Sequence, residues 1–143
     1  ITVRTNLFLH YASHALSDYQ LSVRRTYAGS PAEDRAVLGF DKSILSYLED
    51  HYSEKLYLNE IAGFFHMSPK YFCRYFKKHF GKTLMEYMNY LRIEKACGML
   101  LSTQKPVLEI ALMSGFSNIS YFNKCFKKLT GITPKAFRAM HRS

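Results

Sequence analysis

The feature that most constrains the fold of this chain is an internal repeat of about 50 residues. EIAGFFHMS at residues 60–68 matches EIALMSGFS at 109–117, and YFCRYFKKHFGKTL at 71–84 matches YFNKCFKKLTGITP at 121–134. The offset is 49 residues in the first pair and 50 in the second, so one extra residue precedes the second YF. A repeat of this length indicates two copies of one supersecondary unit.

Each copy of the repeat predicts a helix, a tight turn and a second helix. The small residues Ala62 and Ala111 in the first helices allow the second helices to cross closely. Gly115 stands in the turn of the second copy, where we expect a positive φ, and His66 is its counterpart in the first. The sequence therefore predicts two units of the same helix-turn-helix shape.

The second helix of each copy has one aromatic face and one basic face. Phenylalanine recurs every four residues, which predicts a buried stripe of Phe72, Phe76, Phe80, Phe122 and Phe126, followed by Leu129. Off this stripe lie Lys70, Cys73, Arg74, Lys77 and Lys78 in the first copy, and Ser120, Asn123, Lys124, Lys127 and Lys128 in the second. A surface selected only for stability would intersperse acidic residues, so these faces indicate a bound partner.

The ends of these second helices carry residues that helix termini favour. We expect the helices to begin near Ser68, with Pro69 at the first helical position, and near Asn118. Gly81 and Gly131 are predicted to end them as C-caps.

The rest of the chain predicts helices of different lengths. Residues 84–102 predict a helix of about eighteen residues, weakened at Gly98, which at roughly 27 Å is long enough to hold the two units apart. Upstream, one helix is predicted to begin at Asp41 as its N-cap and a short one at Asn59. Residues 26–34 predict a loop, and residues 4–21 an N-terminal helix. The predicted fold class is all-α, with two helix-turn-helix subdomains joined by a long linker helix and preceded by an N-terminal helix and linker.

Basic residues are segregated along the chain. The formal net charge is +9, most of it lies in residues 36–143, and no acidic residue follows Glu109. Such segregation predicts a polyanionic partner, either nucleic acid or an acidic membrane surface. A solvated helix face is the alternative for one basic run, but two runs in register favour a shared partner.

Membrane insertion, disulfide bonding and metal binding find little support in the sequence. No apolar run approaches the ~18 residues of a membrane span, and no signal peptide is visible. The three cysteines are odd in number and form no CxxC pair, which fits a reducing cytoplasm. His10 and His14 have the spacing of a helical metal pair, but no HExxH motif or further ligand accompanies them. We predict no metal and no cofactor.

Common catalytic motifs are also missing from the sequence. It contains no glycine-rich phosphate loop and no nucleophile elbow, so we do not predict an enzyme. Cys73 lies among basic residues, and a redox-sensitive thiol is one interpretation of it. A plain small residue that faces the partner is the favoured one.

The order of turn, core and basic positions carries a family resemblance. RIEKACGMLLSTQKPVLEIALMSGFSNISYFNKCFKKLTGITPKAFR, residues 92–138, resembles the signature region of the AraC/XylS family of bacterial transcription regulators. LYLNEIAGFFHMSPKYFCRYFKKHFGKTLMEYMNYLR, in the first copy, is similar to the first helix-turn-helix of that family. The resemblance covers about residues 38–140 and rests on the order EIA, GF, SYF, FKK and G.TP.

The resemblance implies a DNA-binding domain at residues 36–143 with about seven helices. Its helix-turn-helix motifs would lie at about 58–82 and 107–131, joined by a connecting helix at about 84–102, with both second helices in adjacent major grooves of double-stranded DNA. It further implies a cytoplasmic transcription activator that contacts RNA polymerase. The alternative function is a basic helical module that binds an acidic protein or membrane surface.

The family pattern also suggests a role for individual residues. The candidates for reading bases are Lys70, Cys73, Arg74, Ile119, Ser120, Asn123 and Lys124. The candidates for contacting phosphates are Ser68, Lys77, Lys78, Ser117, Asn118, Lys127 and Lys128. Ile119 could only touch a thymine methyl group or pack locally.

Members of the family usually carry a separate sensing or dimerisation domain. We interpret residues 1–35 as the final helix and linker of such a domain, with a helical insertion as the alternative. A homodimer would then form through a region outside this chain.

Overall fold

The computed structural model describes residues 31–141, and within this range the chain forms seven α-helices and no strand. They are α1 (Pro31–His51), α2 (Leu58–Phe64), α3 (Pro69–Phe80), α4 (Leu84–Ser102), α5 (Val107–Met113), α6 (Ile119–Thr130) and α7 (Pro134–His141). The predicted all-α fold is confirmed. The helix predicted at 4–21 and the His10–His14 pair lie outside the described residues.

The described chain divides into two compact units. The first unit comprises residues 31–51 and 56–87, and the second comprises 52–55 and 88–141. Each unit contains one copy of the repeat, with α2 and α3 in the first and α5 and α6 in the second. Helix α4 contributes residues to both units and runs without interruption through Gly98.

The start of α1 differs from the prediction. Helix α1 begins at Pro31, so residues 31–34 are helical rather than part of a loop, and Asp41 lies inside the helix rather than at its N-cap. Asp41 is fully buried. Its Oδ1 accepts a hydrogen bond from the Tyr75 hydroxyl at 2.7 Å, and its Oδ2 accepts one from His79 Nδ1 at 2.9 Å. The Asp41 carboxylate thus binds two side chains of α3. The residues next to Asp41 in the sequence do not distinguish this tertiary role from helix capping.

The start of α2 also corrects a prediction, because Asn59 is not its N-cap. The helix begins at Leu58, and Tyr57 occupies the N-cap in an extended conformation with no side-chain cap. The backbone carbonyl of Tyr57 accepts from the amides of Glu60 and Ile61 at 3.1 Å each. The path of the chain into α2 therefore places the N-cap two residues earlier than the side-chain chemistry suggested.

The core of the first unit contains the predicted aromatic stripe of α3. Phe72, Phe76 and Phe80 are buried, together with Ile44 and Leu48 of α1 and Ile61 and Ala62 of α2. Neighbouring rings pack at centroid distances of 6.0 Å between Phe72 and Phe76 and 4.4 Å between Phe76 and Phe80. Each buried phenylalanine contributes about 1.5–3 kcal/mol through removal of apolar surface from water.

The core of the second unit follows the same plan. Its buried residues are Ile93, Ala96, Cys97, Leu100, Ile110, Ala111, Phe116, Phe122, Cys125, Phe126, Ile132 and Phe137. Phe126 meets Phe137 of α7 edge-on at 5.5 Å, which ties the end of the chain to α6. Leu129 is partly buried and packs against this cluster.

Helices α3 and α6 are capped by the residues that the sequence indicated. Ser68 Oγ accepts from the amide of Tyr71 at 3.2 Å, and Pro69 is the first residue of α3. Asn118 Oδ1 accepts from the amide of Tyr121 at 3.0 Å in the same way. Gly81 and Gly131 end the two helices with φ of 74° and 84°.

The turns between the paired helices need a left-handed residue. His66 has φ 58° and Gly115 has φ 101°. At Gly115 an added Cβ would meet the backbone carbonyl of Tyr52 and would lie 2.8 Å from Arg92 Nε. Glycine is therefore required at this position for space as well as for conformation.

Gly115→Ala is expected to lower the free energy of unfolding by about 1–3 kcal/mol more than Gly131→Ala. Both variants place a side chain at positive φ, which costs about 1–2 kcal/mol. Only Gly115 is crowded, since nothing lies within 4 Å of a Cβ at Gly131. Urea unfolding of both variants measures the difference, and equal losses would show that the turn yields without strain.

Two arginines tie the chain before each helix-turn-helix to the helix after it. Arg92 donates from Nε to the carbonyl of Tyr52 at 2.8 Å and from Nη2 to that of Glu54 at 3.1 Å. Arg138 donates in the same manner to the carbonyls of Leu100 at 3.3 Å and Lys105 at 2.6 Å. Desolvation by burial lowers the pKa of Arg92 from its ordinary value, and Tyr121 opposes that shift.

Candidate nucleic-acid interface

Helix α3 presents a continuous basic surface opposite its buried aromatic stripe. The five residues predicted on that surface are all exposed: Lys70, Cys73, Arg74, Lys77 and Lys78. Arg74 and Lys78 are one helical turn apart and repel each other slightly. Because the cap at Ser68 and the Phe stripe fix the helix, this surface is held on a rigid element.

Helix α6 presents the matching surface in the second unit. Ser120, Asn123, Lys124, Lys127 and Lys128 are exposed, while Phe122 and Phe126 are fully buried on the other side. Ile119 differs from the other candidates for reading bases, since it is partly buried and packs against the core of the second unit. The structure therefore brings six of the seven candidates to exposed positions on α3 and α6.

Among the candidates for phosphate contact, two side chains also act as helix caps. Ser68 and Asn118 accept from the amides of Tyr71 and Tyr121, which holds them at the starts of α3 and α6. The Ser68 hydroxyl keeps its own proton for donation to a further acceptor. Ser117 is exposed beside Asn118, and Lys77, Lys78, Lys127 and Lys128 are exposed further along the helices.

These two basic surfaces carry positive charge that no carboxylate of the described residues neutralises. Within residues 31–141, none of the basic side chains that we placed on them takes part in an ion pair. The exposed ion pair of the second unit joins Lys105 to Glu109 at 3.2 Å, on residues outside both surfaces. The positive potential of α3 and α6 is therefore available to a polyanion.

Two exposed tyrosines were missed as candidates by sequence reasoning. Tyr71 is 50% exposed and Tyr121 is 43% exposed, one at the start of each basic helix. The Tyr121 hydroxyl accepts from Asn89 Nδ2 at 2.7 Å, which leaves its own proton for donation. Their matching positions in the repeat were a usable signal, but aromatic residues were assigned to the core.

Lys135 was also missed, because its importance depends on tertiary packing. An open cavity of about 670 Å³ lies among α5, α6 and the start of α7. Lys124 and Lys127 of α6 and Lys135 of α7 line this cavity. Lys127 and Lys135 are eight positions apart along the chain, so only the packing of α7 shows that they line one cavity.

The three cysteines differ in exposure. Burial, with a smaller effect from Glu94, raises the pKa of Cys97 to about 12, so this thiol stays protonated at neutral pH. Cys125 is buried and Cys73 is exposed, and all three are free. Residues 31–141 contain no cluster of metal-ligating side chains, and none of their helices is long and apolar enough to cross a membrane.

Comparison with known proteins agrees with the helix-turn-helix geometry. Residues 61–140 match a family model described as a helix-turn-helix domain. A relative from Bacillus subtilis (strain 168), the bifunctional transcriptional activator/DNA repair enzyme AdaA, is 40% identical over 99 residues. That match covers 69% of this chain and 47% of the relative, so the chain spans about half the length of that protein.

Solved structures share the architecture. The C-terminal domain of the two-component response regulator yesN from Fusobacterium nucleatum subsp. nucleatum superposes with a TM-score of 0.66 at 34% identity, over 70% of this chain and 98% of that one. The DNA-binding domain of AdpA, a global transcriptional factor solved in complex with a target DNA, has a TM-score of 0.67 at 24% identity. That likeness covers 71% of this chain and 91% of AdpA's domain and shows a shared fold.

Proposed function

The chain belongs to the AraC/XylS family of DNA-binding transcription regulators, and from this premise we propose that α3 and α6 read a specific DNA sequence in adjacent major grooves. One observation carries the proposal. In both copies of the repeat, a capped helix buries its aromatic side and exposes a basic side that no described carboxylate neutralises. Such helices fit the width of the major groove.

The chemistry of the exposed side chains suggests how bases are read. Arg74 is suited to a bidentate contact with guanine, and Asn123 to one with adenine. Lys124 also favours guanine, while Lys70, Cys73 and Ser120 would contact neighbouring base edges. Ile119 supports α6 from the core side and contributes at most a contact with a thymine methyl group.

Contacts to the DNA backbone would fix the register of both helices. Four exposed lysines follow the candidates for reading bases along the two helices: Lys77, Lys78, Lys127 and Lys128. Short polar side chains lie at the helix starts: Ser68, Ser117 and Asn118. Phosphate contacts carry no sequence information, but they supply a large share of the affinity.

In the cell, the chain would work as the DNA-binding end of a transcription activator. We propose that it acts in the cytoplasm, contacts RNA polymerase, and dimerises through a region outside this chain. Residues 1–35 would connect that region to the domain at 36–143. We assign no catalysis to this chain, whose match to AdaA lies in the helix-turn-helix part.

Footprinting with two variants tests the proposal. After an operator is selected from a random DNA pool, the wild-type chain should protect two major-groove segments on one face. Arg74→Ala should weaken protection of one segment and Lys124→Ala that of the other, each at a cost of about 1–3 kcal/mol in affinity. The basis is that each side chain is exposed on a different reading helix.

A matched control is Lys42→Ala, which removes an exposed cation of α1 that belongs to neither basic surface. It should protect the operator as the wild type does. Wild-type affinity in both reading variants would remove these residues from the reading set. Protection of a single segment would show that only one copy of the repeat reads DNA.

A further inference from the structure

The corner where α5, α6 and α7 meet gathers three lysines around one cavity. Its cavity of about 670 Å³ is open to solvent and is lined by lysines from two helices, Lys124 and Lys127 from α6 and Lys135 from α7. All three side chains are exposed. Three positive charges therefore border one concave surface.

The three lysines of this corner lie in an acid-poor part of the sequence. None of them takes part in an ion pair within residues 31–141, and no acidic residue follows Glu109 in the sequence. Glu109 itself pairs with Lys105 at 3.2 Å. Like charges gathered without acids repel one another, and a bound anion would relieve that repulsion.

The walls of the same cavity are apolar. Val107 and Leu108 of α5, Ile119 of α6 and Pro134 of α7 line it, and Leu108 is 55% exposed. A cavity lined by both apolar side chains and lysines matches the backbone of DNA, in which the carbon face of deoxyribose adjoins a charged phosphate. A free inorganic anion would make no use of these apolar side chains.

The first copy of the repeat lacks this arrangement. Arg74 and Lys77 correspond to Lys124 and Lys127, but the counterpart of Lys135 is Met85, which is 60% exposed. Lys82, a nearby cation of the first copy, aligns with the buried Ile132 rather than with Lys135. The third cation is thus specific to the second copy, and the helix-turn-helix fold does not require it.

We propose that this corner binds the sugar–phosphate backbone of the operator and that Lys135 holds one phosphate with no equivalent in the first copy. The proposal rests on the DNA-binding function proposed above. It adds a phosphate contact from α7 to those of α6.

The salt dependence of operator binding tests the role of Lys135. Lys135→Met, which installs the residue of the first copy, should make the slope of log affinity against log salt less negative by about 0.9. The matching loss of affinity is about eightfold at about 0.1 M salt. Lys135→Arg keeps the charge and should retain the wild-type slope, and Lys42→Met is the control on α1.

Replacement of single phosphates by neutral methylphosphonates locates the contact. One position flanking the second half-site should weaken wild-type binding and have no effect on Lys135→Met, because the partner of that phosphate is already gone. An effect of equal size on both proteins at every position would overturn the proposal.

The remaining outcomes separate this proposal from the function on which it rests. A steep wild-type slope that Lys135→Met leaves unchanged overturns the phosphate site alone. A flat wild-type slope overturns groove docking and the phosphate site together. If Lys135→Met spares DNA binding but weakens binding of a fluorescent polyglutamate peptide, the corner is a protein-docking site and the proposal is wrong.

Discussion

Raising the salt concentration from about 50 to about 200 mM is expected to weaken operator binding by about 10³–10⁴-fold. The reason is the seven exposed cations of α3 and α6, each of which would displace condensed counterions whether it ends on a phosphate or on a neighbouring base edge, which is equivalent to about six or seven phosphate contacts. Each contact releases condensed counterions, so log affinity should fall against log salt with a slope of about −6. Fluorescence anisotropy with a labelled operator measures that slope.

A comparison of operator with unrelated DNA separates the two parts of this affinity. Contacts to phosphates should give both duplexes a steep salt response, whereas contacts from Arg74, Asn123 and Lys124 should favour the operator at every salt concentration. A nearly flat response on the operator would reject docking of two basic helices in the grooves. It would favour a surface that meets few phosphates.

Replacing Asp41 by alanine is expected to lower the free energy of unfolding by about 2–5 kcal/mol. The change removes the acceptor of two hydrogen bonds, from the Tyr75 hydroxyl at 2.7 Å and from His79 Nδ1 at 2.9 Å, in a place where Asp41 is fully buried. Hydrogen bonds to a charged group contribute about 1.5–3 kcal/mol each, and two that share one carboxylate are not fully additive.

The loss should also reach the basic surface of the first unit. Tyr75 and His79 stack at 3.7 Å on α3, and each is adjacent in sequence to a basic residue of the exposed surface, Arg74 or Lys78. Chemical unfolding monitored by tyrosine fluorescence gives the stability change. Asp50→Ala, an exposed acid on the same helix, is the matched control, and equal stability of the two variants would contradict a structural role for Asp41.

The successful predictions of the fold depended on information that lies close together in the sequence. Ser68 followed by Pro69, and the glycines at 81 and 131, mark helix ends through local backbone chemistry. The repeat then allowed each copy to support the interpretation of the other. The role of Asp41 was not predicted, because aspartate serves both as a helix N-cap and as a buried hydrogen-bond acceptor. Its partners are 34 and 38 residues away in the sequence.

The candidate interface was predictable to a similar extent. The four-residue spacing of phenylalanine predicts which side of α3 and α6 is buried, so exposure of the opposite residues followed directly. The spacing of phenylalanine did not predict the environments of Ile119 and Lys135. The packing of Ile119 against the core and the approach of Lys135 to α6 both depend on how α7 and α5 meet α6. The bases that each side chain reads remain a prediction.

The hydrogen bonds of Arg92 and Arg138 restrain α3 and α6 in a way that capping and core packing alone do not. Arg92 connects the chain after α1 to the helix that follows α3, and Arg138 connects the end of α4 to the helix that follows α6. The backbone before and after α3, and likewise before and after α6, is therefore joined by the hydrogen bonds of one guanidinium group. Much of the freedom that a looser surface would lose on meeting DNA is already lost on folding, so less of the binding free energy is spent on ordering the protein.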